Sequence, residues 1–163
     1  MGNYTGSTLE IIFENWRVYH EKLRDSIAQL ADEHLALQPA PHMWPLGQLV
    51  QHIIGVRAGW FSGTLGENDE EMNRYMEWGQ RDSPARSPQE LARGLDATWA
   101  FIEARLRRWT AEEFAETFPD EMYGEPVQVS RSWVAYHVLE HDLHHGGEIS
   151  QLLGSHRLPA PDL

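Results

Sequence analysis

Along four stretches of the chain, apolar residues recur at steps of three and four, the period of an amphipathic helix rather than a strand. In the first, Leu9, Ile12, Phe13, Trp16, Tyr19, Leu23, Ile27 and Leu30 draw one stripe. Ser7 and Glu10 precede it at the spacing of a capping box, in which hydroxyl and carboxylate each accept from a backbone amide that the first turn leaves open. The pattern breaks over LADEHLALQPAP, where Asp32 suits the cap of one short turn and Pro39 and Pro41 end it. Pro45 then suits the first position of a second helix with the stripe Leu46, Leu49, Val50, Ile53, Val56, Trp60 and Phe61, closing near Gly63 and Gly66.

Residues 66–86 are acidic and polar and read as a connection with one short helix around Asp69 to Trp78, tucked against the bundle by Met72, Tyr75 and Met76. Ser87-Pro88-Gln89-Glu90 combines a capping Ser, a Pro at the first helical position and a Glu three residues after the cap. A third helix follows, with Leu91, Leu95, Trp99, Ile102, Leu106 and Trp109 in register. Residues 114–129 lose the period and predict an ordered loop or weak hairpin around Gly124. The fourth helix is expected from Ser130 to Leu153, with Gly154 as its stop and RLPAPDL as coil. Four such helices and almost no strand pattern predict an all-α four-helix bundle with a short extra helix between the second and third. The 163 residues fit one domain, 1–163, with one sizeable core.

Charge narrows the function classes. Asp and Glu number 25 against 13 Lys and Arg, a net charge of −12, which weighs against nucleic-acid and anionic-membrane partners. No run of 18 apolar residues exists, so no transmembrane helix is expected. MGNYTGSTLE lacks a basic region followed by an apolar stretch, so no secretory signal is expected, and its partial fit to a myristoylation signal fails at Gly6. The chain has no Cys, which excludes disulfides, Cys-ligated zinc and a cysteine nucleophile, and fits a cytoplasmic protein.

The chemistry concentrates in histidine. Four of the nine His fall within HVLEHDLHH, residues 137–145. At about 100° per helical residue, His137, His141, His144, His145 and Glu148 share one stripe roughly 100° wide with Trp133 at its edge. The pairs His137/His141 and His141/His145 stand one turn apart, a spacing at which two imidazoles can hold one ion. A third ligand has to come from another helix. His52 is the best placed, at the edge of the second helix's apolar stripe beside Leu49 and Val56. His20 is a weaker candidate, and His34, His42 and His156 fall in expected loops or ends. A pH-sensing cluster and a water-facing polar stripe are the competing readings of the four. His137-Val-Leu-Glu140-His141 matches the inverted zinc-protease motif, but proteases of that kind are much larger and need a further carboxylate ligand. No Glu stands three residues before a His, which argues against a ferritin-like di-iron centre.

Two segments resemble the DinB/YfiT-like superfamily of metal-binding four-helix bundles. QPAPHMWPLGQLVQHIIGV is similar to that family's Pro-rich approach to a second helix bearing one ligand His. WVAYHVLEHDLHHGGEISQLLG is similar to its fourth-helix pattern, His-x3-His followed by Arg-Gly-Gln-Ile. The resemblance implies His52, His141 and His145 as metal ligands, with His137 and His144 beside them. Two residues depart from it: Gly146 replaces the usual Arg, and Glu148 the usual Gln.

The resemblance further implies a divalent transition metal, zinc or nickel first and iron or manganese next. It implies a metal-dependent enzyme, a thiol-dependent S-transferase or hydrolase-like, since characterised relatives include such transferases and a thiol-using maleylpyruvate isomerase. Expected partners are a small-molecule substrate, a low-molecular-weight thiol supplied from outside, and a second copy in a homodimer. Trp44, Trp60 and Tyr136 are candidates to line a pocket, and His137 or Glu140 to move protons. The alternatives are a non-catalytic metal-binding or dimeric stress-associated module, and a structural bundle that self-associates through its His stripe.

Overall fold

A computed structural model describes residues 6–122 and 124–161; the start of the lipidation-like segment lies outside them. The elements are α1 (Thr8–Ala28), α2 (Leu46–Ala58), α3 (Glu70–Met76), α4 (Pro88–Arg108), α5 (Ala111–Ala115), β1 (Thr117–Met122), β2 (Glu125–Ser130) and α6 (Arg131–Ser155). The long helices α1, α2, α4 and α6 form the bundle, with α4 packed against both α1 and α2, and α2 also against α6. Short 3-10 turns cover Asp32–Ala36 and Glu77–Gly79, and α2 runs on into a π turn over Gly59–Thr64.

The local signals act as their chemistry dictates. Ser7 with Glu10 and Ser87 with Glu90 both close as capping boxes, satisfying amides at the starts of α1 and α4. Asp69 caps α3 by accepting from the amides of Glu71 and Met72, and Met72 is buried beneath it. The connection from α3 reaches close to the bundle because Gly55 faces Gly79, where a Cβ on Gly55 would lie 2.5 Å from the Gly79 Cα.

Three expectations need correction, and of the loop or weak hairpin expected around Gly124 the hairpin forms. The third helix ends at Arg108, and α5 follows it as a separate turn capped by Thr110 and Glu113. Residues 117–130 pair as an antiparallel hairpin, with Phe118 opposite Val129 and Asp120 opposite Val127. Phe118 and Val127 pack on the core and Val129 is buried in it, so the alternation that makes the strand also docks it. Gly154 does not stop α6, which continues through Ser155, because a helix can carry one Gly at modest cost when nothing displaces the next turn. Leu9 and Ile12, though on the predicted stripe, are exposed, since the first turns of α1 extend past the partners that bury Trp16 and Leu23.

The core has two apolar halves. One gathers Trp16, Phe61, Trp99, Ile102 and Val138, and the other Leu23, Ile27, Ile54, Leu95 and Ile149. Between them along each long helix lies a polar layer: His20 on α1, Arg57 on α2, Thr98 on α4 and Asp142 on α6, all buried. Arg57 donates through Nε and Nη2 to the Asp142 carboxylate at 3.0 and 2.8 Å, and through Nη1 to the Leu95 carbonyl at 3.3 Å. The Trp16 indole N–H donates to Asp142 at 2.7 Å. Every charge in the layer is therefore met by a donor or acceptor from another helix, as burial requires.

Candidate metal centre

The three imidazoles implied by the resemblance converge. On α2, Val50, Ile53 and Ile54 turn into the core, which leaves His52 half-buried on the flank toward α6. On α6, Val138, Asp142 and Ile149 take the core face, which sets His141 and His145 on the flank toward α2. His52 Nε2 and His141 Nε2 stand 2.9 Å apart. The His145 ring centre lies 4.3 Å from that of His141 and 5.0 Å from that of His52. One nitrogen from each of the three lies within 4.8 Å of the other two.

The donor set fits a divalent transition ion. Tetrahedral zinc with bonds of 2.0–2.1 Å needs nitrogens about 3.4 Å apart, so closing the triad takes ring movements of the order of an ångström. His145 Nδ1 hydrogen-bonds Glu148 Oε2 at 2.7 Å, which leaves Nε2 as the ligating atom, the tautomer control that carboxylates give metal-bound imidazoles. Trp44 sets its ring edge-on to His52 at 4.8 Å and walls one side. His141 Nδ1 is buried with no hydrogen-bond partner among the described residues.

Burial readies these rings for metal. Desolvation first, then the neighbouring His145, lowers the His52 pKa to about 4 and the His141 pKa to about 3. Both are therefore neutral near pH 7 and offer lone pairs without competition from protons. His20, lowered to about 2 by burial and by Arg57, is likewise neutral. In the unfolded chain all three take up protons below about pH 6.5, so the unfolded state binds more protons and stability falls as pH drops from 6.5 toward the folded values. Urea titrations of metal-free protein between pH 7.5 and 5 should show a falling midpoint at constant slope; an unchanged midpoint would contradict these shifts.

The remaining candidates sit elsewhere. His137 stacks on Trp133 at 4.7 Å and meets the edge of Trp60 at 5.0 Å, one turn from the triad. His144 is exposed and forms with His145 and Glu148 a second, more open group at ligand spacing. Tyr136 points to solvent at 60% exposure, contrary to its expected pocket role, because its position on α6 faces away from α2. Glu140 is exposed beside His137. His20 is not a ligand candidate in the folded chain: it stacks on Trp99 and faces Arg57 in the polar layer. His34 Nδ1 accepts from the Ala31 amide, and His156 caps α6. His42 lines a cleft with His145 and Glu148, which reasoning from the sequence did not anticipate.

The model of the DinB superfamily matches residues 16–149, which include all three triad residues. This chain belongs to the DinB superfamily. A DinB-like protein from Bacillus cereus is similar at 25% identity and TM-score 0.73, over 94% of this chain and 96% of that one. A DinB-like protein from Bacillus subtilis is similar at 16% identity and TM-score 0.66, over 93% and 95%. The mycothiol-dependent maleylpyruvate isomerase shares the fold at 12% identity and TM-score 0.58, over 94% of this chain and 69% of that one. No curated protein matches in sequence.

Within this DinB fold, Gly146 has a physical reason. A Cβ there would lie 1.8 Å from the Tyr19 hydroxyl oxygen and 2.8 Å from the ring carbon bearing it. Tyr19 is buried, with its pKa raised to about 12 by desolvation and then by the Asp142 charge. The space next to the last triad residue is thus filled from α1, and the guanidinium at this level of the bundle comes from Arg57. Gly146→Ala should cost about 1–3 kcal/mol through overpacking, outweighing the roughly 1 kcal/mol that Ala gains over Gly in a helix. Adding Tyr19→Phe should recover part of the loss; denaturant midpoints of the single and double variants check it.

Proposed function

We propose that this DinB protein holds a divalent transition ion, zinc or nickel first and iron or manganese next, on His52, His141 and His145, and uses it in a metal-dependent transfer or hydrolysis on a small molecule. The observation that carries this reading is the convergence of three imidazoles from two helices, one of them oriented by Glu148. Three neutral protein ligands leave at least one position open, the arrangement of catalytic rather than structural sites. Such an ion supplies a hydroxide or thiolate near neutral pH by lowering the pKa of bound water or thiol.

The protein's own residues do the rest. Glu148 holds the His145 tautomer through Oε2. Met43, Trp44 and Leu152 give the adjoining cleft apolar walls. The fold shared with the mycothiol-dependent isomerase supports a thiol as cosubstrate, and the lack of Cys means it comes from solution.

Apo protein loaded with zinc, nickel, iron or manganese in turn, then given a thiol and an electrophile, should turn over with at least one metal and stop on chelation. Absence of turnover with every one of these metals would remove the catalytic reading. A second reading, a non-catalytic binding module, is favoured by the engagement of Glu148, the one carboxylate among the described residues lining the cleft, with His145, which gives it an orienting role. Tight metal binding with no exchangeable water would support it.

A further inference from the structure

Beside the triad is a cleft of about 280 Å³. Its walls are apolar where Met43, Trp44, Leu49 and Leu152 line it, and its titratable groups are His42, His145 and Glu148. None of its lining residues is Lys or Arg. Arg57 is fully buried against Asp142 and position 146 is Gly with Tyr19 packed on it, so neither brings a cation to the cleft. Glu148 is the cleft's charged group of fixed sign. Its Oε2 is engaged by His145, whereas Oε1 lies 3.7 Å from His144 Nε2, beyond hydrogen-bond distance, on a side chain 40% exposed.

From this arrangement we infer that the cleft takes a small thiol whose far end carries an amine, or no charge, and discriminates against one ending in a carboxylate. The inference rests on reading the triad as a metal centre. The thiol binds the ion as thiolate, its proton leaving to solvent, and its short apolar body lies along Trp44 and Leu152. An ammonium at the far end donates to Glu148 Oε1, a charge-assisted bond in a partly desolvated site. A carboxylate there meets Glu148, with no Lys or Arg in the cleft wall to offset the repulsion at that end, away from the ion.

The test uses cobalt-loaded protein at pH 8 under nitrogen, titrated with 2-aminoethanethiol, 2-mercaptoethanol and 3-mercaptopropionate, with the thiolate-to-cobalt absorption as readout. The amine thiol should bind roughly tenfold or more tighter than the carboxylate thiol, and Glu148→Gln should shrink that ratio to about threefold or less. The thiols differ in intrinsic acidity, so the ratio is compared between wild type and variant, where that difference cancels. Should E148Q fold or load poorly, the salt dependence of wild type replaces it: the amine thiol weakens with added salt and 2-mercaptoethanol does not.

Equal affinities, a preference for the carboxylate thiol, or an E148Q ratio equal to wild type would each overturn the inference. Cobalt that binds but shows no thiolate band with any thiol overturns it while leaving the metal centre standing. Failure to bind cobalt at all removes both.

Discussion

His141→Ala is expected to weaken zinc binding by at least about 100-fold, beyond the 10–100-fold typical of losing a group that merely orients a ligand. His141 adjoins both other rings, with its Nε2 2.9 Å from His52 Nε2 and its ring centre 4.3 Å from that of His145. Removing it leaves two nitrogens on different helices and no pair one turn apart on α6 that includes His145. The neighbouring His137→Ala and His144→Ala should change affinity far less, since His137 is stacked on Trp133 and His144 is exposed. Competition with a chromophoric chelator measures all three. Wild-type affinity in His141→Ala would show that the ion, if bound, sits elsewhere, with the His144, His145 and Glu148 group the next place to look.

Asp142→Ala should be the most damaging single change to stability, costing about 3–5 kcal/mol. Both Asp142 and Arg57 have no side-chain exposure, so deleting the carboxylate strands a guanidinium in the core and also leaves the Trp16 indole N–H without its acceptor. For a chain of this size that corresponds to a Tm lower by roughly 6–20 °C. The double change Arg57→Met with Asp142→Leu should restore much of the loss, because the expense lies in the unpaired charge rather than in the absence of the pair. A calorimetric series on the three proteins decides it: an Asp142→Ala protein within about 1 kcal/mol of wild type would mean that Arg57 finds another partner or reaches water.

What was legible in the sequence was what neighbours along the chain determine. The Ser7/Glu10 and Ser87/Glu90 boxes and the stripes of α1 and α4 rest on contacts three and four residues apart. The capping box of α5, Thr110 with Glu113, was equally present, but a five-residue helix is too short to show a period. The polar layer was invisible for a different reason. Arg57 and Asp142 fall on the apolar faces of α2 and α6, four residues after Ile53 and Val138, but they stand 85 positions apart and nothing along the chain pairs them. For the candidate site, spacing located the His stripe on α6 but left its register open. The family resemblance selected His52, His141 and His145, and the packing of α2 on α6 brings them together.

The Tyr19 and Gly146 contact ties two positions of the chain into a single unit of change. Any mutant that places a side chain at 146, including an arginine, inherits a collision unless residue 19 has already shrunk, and a shrunken residue 19 leaves a hole until 146 grows. A library randomised at both positions together should yield functional pairs that neither single-site library contains. An arginine-bearing site is therefore reachable from this protein only through a two-step substitution whose order matters.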